Sequence, residues 1–436
     1  MMDDVLISNL FGHFSGDVVQ ATQALKESHA QRSIVLRVWA RMRCPGCSTD
    51  CGSSRHKPGG AGTTDEHEKA LVQLVESGLV ATDMADHYGD SELVYGDFRN
   101  KLSKEVSDKV FAVTKWCVSK PIEKPVTAEF VLEQVKERCR RLGGRVELLQ
   151  LHWHDFADKT YLDILLPLIN IAKSHPHLVS AIGLCNFDAK HTDEACEFLK
   201  KKTGSVGVVS NQVQFSLLDS RPIKYMIPIC QKHNIKLLTY GSFCGGFLSE
   251  TWLTQPPPEL CSSAPSTSAS TPSATKRLTP SQRKYLGVIR SWGPWYDFQV
   301  LLGLLFSIAA KHGVAIHSVA TRWVLQHPCV ASVIIGTSLG TSSSNGSPPP
   351  GTPPRRPQRH LFASIGPPLR LLRLFASEHQ APQQPRATEN LRVFGWELDE
   401  EDMRVINAAA LGKDGEKTDM LLDKLGDCGD EYRNVG

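Results

Sequence analysis

From residue 63 onward, short apolar runs rich in β-branched residues alternate with longer stretches whose apolar residues fall three and four positions apart. The short runs suit strands buried on both faces, and the longer spacing suits helices with one buried side. Thr63 and Glu66 make a capping-box pair, Ala70, Leu71, Leu74 and Val75 supply an apolar face, and Gly78 ends the first helix. Strands are predicted at residues 79–84, 110–114, 146–151, 179–184, 206–213, 235–239 and 330–335, and one more at 34–39 precedes the first helix. Such a series closes as a (β/α)8 TIM barrel, although an open doubly wound sheet gives a similar string. Polar residues at the strand ends decide between them: Asp83 and Tyr88, Lys115, His152, Cys185 and Asn186, Asn211 and Gln212, Tyr240, and Gly336. An open sheet would spread these across its width, whereas a barrel gathers them around one mouth. The barrel is the expected fold.

Composition adds interruptions to this pattern. Sixteen of the 26 prolines fall at 254–280 and 340–387, stretches also rich in Ser or Gln that bury too little to fold alone. The expected organisation is an irregular leader over 1–62, in which the first strand at 34–39 is left open, a barrel over 63–412 interrupted by those two loops, and a C-terminal tail over 413–436. The net charge is only +3, and the 340–387 segment, with six arginines and one acid, carries +5 of it, so the remainder is at −2. No general nucleic-acid footprint results. Twelve scattered cysteines fit reduced thiols. The longest apolar run, 300–310, is far short of the roughly 20 residues that span a bilayer, and reads as a buried helix. Met-Met-Asp-Asp opens the chain without the apolar stretch of a signal peptide, so cytoplasmic placement and no membrane contact are expected.

The strand-end residues carry coherent chemistry. A phenol titrates near 10 unperturbed, and a neighbouring ammonium favours its phenolate, so Tyr88 beside Lys115, with Asp83 to hold the lysine, forms an acid-base set. His152 at the next strand end could donate to an oxygen on which charge develops during carbonyl reduction. Such a reduction needs a hydride source.

Asp83-Met84-Ala85-Asp86-His87-Tyr88-Gly89, Val113-Thr114-Lys115-Trp116 and Leu149-Gln150-Leu151-His152 resemble, in order and strand position, the tetrad motifs of the aldo-keto reductase family. Gly183-Leu184-Cys185-Asn186-Phe187, Ser210-Asn211-Gln212-Val213-Gln214 and Leu238-Thr239-Tyr240-Gly241 are similar to its nicotinamide-binding segments, and Ile334-Ile335-Gly336-Thr337 to its phosphate-binding strand end. The resemblance covers about 63–340 and 388–411. It implies an NAD(P)H-dependent oxidoreductase that reduces aldehydes or ketones, or oxidises the corresponding alcohols, with Tyr88 as proton donor, Lys115 and Asp83 tuning it, and His152 orienting the carbonyl. It further implies that Cys185, Asn186 and Gln212 lie at the nicotinamide carboxamide, that Tyr240 stacks on the ring, and that Gly336, Thr337, Ser338, Glu389 and Asn390 face the phosphate and adenosine end. Cys185 stands where the family usually has serine, and Ser338 where an arginine is common, so NADP is expected with NAD left open. Small-molecule substrates are implied, their identity and the oligomeric state being unread. Trp116, Trp153 and Phe243 suggest an aromatic pocket wall.

Two other motifs point elsewhere. Gly336-Thr337-Ser338-Leu339-Gly340 matches a hydrolase elbow, but it leads into low-complexity sequence rather than into the helix an elbow requires. Cys44, Cys47 and Cys51 with His56 have the density of a zinc site but lack its paired spacing, and no metal is expected. A catalytically weak cofactor-sensing or regulatory barrel is the rival function. Because a longer loop costs only about 0.6 kcal/mol per doubling, excision of residues 341–385 should leave the barrel folded. It should also tighten cofactor binding by bringing Gly336 nearer Glu389 and Asn390. A cofactor titration checks this, and an unfolded or weaker-binding product would show that the segment packs into the barrel.

Overall fold

The computed structural model describes residues 33–38, 64–258, 278–337 and 390–433. The strands whose side chains are described are buried almost end to end, as parallel strands covered by helices must be. They are β1 (Ser33–Val38), β2 (Ala81–Asp83), β3 (Phe111–Val118), β4 (Val146–Trp153), β5 (Val179–Cys185), β6 (Val208–Gln214), β7 (Lys236–Tyr240) and β8 (Val330–Thr337). All pair in parallel in chain order, and β8 pairs back onto β1 from Ser33 opposite Ser332 to Val38 opposite Thr337, closing the barrel. β2 is shorter than the predicted 79–84 at both ends, and a side chain meets it at the second. The Met84 carbonyl accepts from the Lys115 ammonium at 2.7 Å, and the chain turns away there, the Tyr88 amide donating back to Ala85.

Helices fill the outer layer: α1 (Thr64–Glu76), α2 (Ser91–Lys101), α3 (Ala128–Arg141), α4 (Thr160–Ser174), α5 (Ala189–Thr203) and α6 (Met226–His233) between the successive strands, then α7 (Pro280–Trp292), α8 (Trp295–His312) and α9 (Ile316–Leu325) before β8. α7 begins on a reciprocal cap, the Thr279 hydroxyl accepting from the Gln282 amide and the Gln282 side chain from the Thr279 amide. The apolar run of 300–310 lies in α8, where Leu301, Leu302, Leu305 and Ile308 face the core while Val300 is exposed. Among the described residues no single helix is long and apolar enough to cross a membrane; α8 and α9 reach that composition only together, and they meet at 90°.

Strand alternation divides the interior in two. Ala81, Val113, Leu148, Ala181, Leu238 and Tyr240 form a small apolar cluster inside the barrel, while alternate residues such as Ala112, Leu149, Leu151, Ile182 and Leu184 pack outward in the large strand-to-helix core. The same alternation corrects one expectation. Trp116 tilts against Phe130 of α3, and Trp153 is 1% exposed beside Tyr161 of α4, so both belong to the helix layer and neither walls the mouth.

The barrel range closes on α10 (Glu400–Leu411), and the residues after 412, set apart as a tail on sequence grounds, fold as α11 (Glu416–Leu425) and a single turn at Asp430–Tyr432. They are sewn to the barrel by buried polar contacts. Trp292 Nε1 donates to the Ala410 carbonyl at 2.8 Å, and the Ser220 and Thr418 hydroxyls meet at 2.7 Å. Arg221, 1% exposed, grips Asp219 at 2.8 Å and donates to the carbonyls of Gly426 and Asp427. Thr63, Cys44, Cys47, Cys51, His56, Ser338 and Glu389 lie outside the described residues.

A second buried pair ties α2 to the barrel: Arg99, 2% exposed, is bonded to Glu147, whose Oε2 also accepts the Ala112 amide at 2.7 Å. Glu147→Ala should lower stability by about 3–5 kcal/mol, because Arg99 is left buried without its partner. Urea unfolding of variant and parent measures this, and a loss below about 1 kcal/mol would mean that Arg99 finds water.

Candidate active site

At the C-terminal ends of the strands the inward-facing residues form a polar layer above the apolar plug. Register places them: Lys115 lies opposite Gln150 and Gln150 opposite Gly183, while Cys117 lies opposite His152, His152 opposite Cys185, and Cys185 opposite Gln212. Gly183 is needed where it stands, since a Cβ there would come within 2.6 Å of Ser210 Oγ and 3.3 Å of Gln150.

Lys115 and Asp83 form the centre. Both are at most 2% exposed, and the ammonium lies 2.8 and 2.7 Å from the two carboxylate oxygens. Asp83 Oδ1 also accepts from the Gln212 amide at 2.8 Å and from Gln150 at 3.4 Å, and Gln212 donates to Gln150 at 3.2 Å. Tyr88, half-buried, sits with its ring centroid 5.1 Å from the Lys115 ammonium. The predicted acid-base residues are therefore brought together, although Gln212 spends both amide hydrogens inward, on Asp83 and Gln150, and keeps only its oxygen for a ligand.

His152 borders this group. Its Nδ1 lies 3.7 Å from Cys117 Sγ, and its Nε2 lies 3.4 Å from the Asn186 amide nitrogen. Burial, with the charges of His87, Lys115 and Arg433, pushes its pKa down to about 4, so the ring is neutral at pH 7 and carries one proton to donate. Asn186 has left-handed backbone (φ 56°) and accepts the Tyr240 hydroxyl at 2.9 Å on its side-chain oxygen. Burial holds the Tyr240 phenol far above its usual range. Cys185 is 1% exposed on β5. Gly336 is exposed at the end of β8, whereas Asn390 is half-buried ahead of a turn at Arg392–Gly395 that packs on α9.

Some participants were not anticipated. Gln150 was legible in principle, since it precedes His152 by two on the same strand face. Cys117 likewise comes two residues after Lys115. Tyr432 and Arg433 left no sequence signal, yet the Tyr432 ring stands 6.1 Å from His152 and 6.5 Å from Tyr240, and Arg433 donates to the Asn186 carbonyl at 2.7 Å. Among the described residues, two groups have ligand-type atoms gathered within 4.8 Å, Asp86 with His87 and Cys117, and Asp193 with Glu197 and His233. In each a protein cation already bonds the carboxylates: Arg138 bonds Asp86, and Lys232 bonds Asp193 at 2.7 Å and Glu197 at 3.1 Å.

Comparison with known proteins accords with this geometry. Flagellar radial spoke protein 5 of Chlamydomonas reinhardtii is 29% identical over 198 residues, 42% of this chain and 34% of that protein. The NADH-specific methylglyoxal reductase of Escherichia coli (strain K12) is 24% identical over 188 residues, 40% of this chain and 54% of that enzyme. The aligned part thus spans about a third and about half of these relatives' lengths. A thermostable aldo-keto reductase solved with the inhibitor epalrestat superposes with a TM-score of 0.47 at 16% identity, covering 79% of this chain and 88% of that one. The aldo/keto reductase family model matches residues 52–341. That match covers more than half of the sequence, and the chain belongs to the aldo/keto reductase family.

Proposed function

We propose that the protein is an NAD(P)H-dependent oxidoreductase acting on aldehydes or ketones, with Tyr88 as proton donor. The observation that carries this reading is the buried Lys115–Asp83 pair set 5.1 Å from the Tyr88 ring, with neutral His152 on the adjoining strand. The chemistry that a reduced nicotinamide supplies at such a site is a hydride for the carbonyl carbon. Tyr88 gives its phenolic proton to the oxygen on which negative charge collects, and Lys115, held by both Asp83 oxygens and the Met84 carbonyl, favours the resulting phenolate. His152 offers its one proton to the same oxygen and orients it. Asn186, Gln212 and Tyr240 are the residues suited to the nicotinamide: two amides can satisfy a carboxamide, and the phenol ring offers a stacking face. Gly336, exposed at the end of β8, fits close approach of a phosphate. The similarity to an NADH-specific methylglyoxal reductase supports methylglyoxal as a first test substrate and requires NADH to be tried beside NADPH.

A second reading, a family barrel kept for assembly or cofactor sensing rather than turnover, is favoured by the 29% identity to a flagellar radial spoke protein. The intact tetrad speaks for chemistry. Cofactor binding with no turnover of any simple aldehyde would shift the balance to the second reading.

Tyr88→Phe should leave cofactor affinity nearly unchanged and lower turnover by roughly 10²-fold or more, since only the proton donor is removed. Comparable turnover of methylglyoxal by variant and parent would remove Tyr88 from the mechanism. Lys115→Met should raise the apparent pKa governing reduction and also destabilise the fold, because Asp83 stays buried without its cation. Steady-state pH profiles and thermal melts read the two effects, and an active variant with the parent's profile would count against the pair.

A further inference from the structure

The residues assigned to the nicotinamide are covered. Tyr240 is 4% exposed and Asn186 5%, and the turn at the end of the C-terminal segment lies over them. Tyr432 lies across Tyr240 at a centroid distance of 6.5 Å and an interplanar angle of 66°, and meets His152 at 6.1 Å and 86°. A ligand ring stacked on Tyr240 needs about 3.5 Å on one face, and Tyr432 and the Lys284 ammonium, 5.9 Å from the Tyr240 ring centre, already crowd that ring. Arg433 donates to the Asn186 carbonyl at 2.7 Å and to Asp188 at 3.2 Å. Gly429 presses on the same carbonyl so closely that a Cβ would fall 2.1 Å from it, and its φ of 83° also favours glycine. Exposed Lys284 lies 4.4 Å over the Tyr432 ring and 5.9 Å over that of Tyr240, and bonds the Tyr432 hydroxyl.

We propose that the turn from Gly429 to Arg433 is an autoinhibitory strap: it fills the nicotinamide subsite in the free protein and withdraws when the cofactor enters. The inference rests on the assignment of Asn186 and Tyr240 above. The contacts divide the segment into a fixed base and a movable tip. The base, Gly426 and Asp427, is held by buried Arg221. The tip is held by Arg433, the Lys284 contact, the fit of Gly429 and the pairing of Glu431 with Arg221 at 3.1 Å, all of which must loosen for a ligand to reach Tyr240. The apparent cofactor affinity is therefore reduced by the fraction of molecules in which the strap is shut.

The test is a fluorescence titration of the intact protein, Gly429→Ala and Tyr432→Ala with NADPH and NADH, together with hydrogen exchange of the 427–433 amides. Gly429→Ala forces the turn off the Asn186 carbonyl, and Tyr432→Ala removes only the ring, so the second variant decides if the first fails to fold. Both should bind cofactor roughly 10-fold more tightly than the parent, and in the parent cofactor should speed exchange in the strap. Unchanged or weaker binding by Tyr432→Ala, or slower exchange on cofactor addition, would overturn the strap while leaving the nicotinamide assignment standing. No binding by parent or by either variant would overturn both.

Discussion

A lysine and an aspartate buried together inside a barrel govern the rest of this molecule. Neither charge could stand there alone, since an ion taken out of water costs several kcal/mol unless it is paired and hydrogen-bonded. Lys115 therefore requires both oxygens of Asp83 and the Met84 carbonyl, and Asp83 requires the amides of Gln212 and Gln150. These demands run across β2, β3, β4 and β6 and fix how the strands stagger. They also end β2 early, because a backbone carbonyl that would continue the ladder is given to the ammonium. The apolar cluster beneath and the polar layer above are consequences of one alternation, with the ion pair at their boundary.

The sequence disclosed what periodicity and strand ends can encode. Seven strands are legible in β-branched runs, and Asp83, Tyr88, Lys115 and His152 stand out because chemistry in a barrel collects where strands finish. Boundaries were less legible: β3 and β4 run on to Val118 and Trp153, beyond the apolar runs that predicted them, because polar inward residues such as Cys117 and His152 remain in the ladder. Position at a strand end points Trp116 and Trp153 toward the mouth, whereas their parity relative to Lys115 and His152 sends them outward. Tyr432 and Arg433 could not be read at all. Their contacts with Asn186 and Tyr240 join parts of the chain that no local pattern relates, and Asp-Glu-Tyr-Arg in isolation is an ordinary solvated sequence.

Buried arginines mark the places where distant chain segments are joined. Arg99 carries α2 onto β4 through Glu147, and Arg221 carries the C-terminal turn onto the loop after β6 through Asp219 and backbone carbonyls. A planar five-donor group can satisfy a carboxylate and two carbonyls at once, which a lysine could not do in the same geometry. In both cases the arginine substitutes for apolar packing where the surfaces to be joined are made of loop backbone.

The grip of Arg221 on the Asp427 carbonyl spans 206 residues of sequence. Contacts of such separation form late, because the entropy of closing the intervening chain must be met before they contribute. On a ribosome, β6 and everything through β8 is made before Asp427 is available to be gripped. The nascent barrel thus passes through an interval in which its mouth has walls but no roof, and Asn186 and Tyr240 face water.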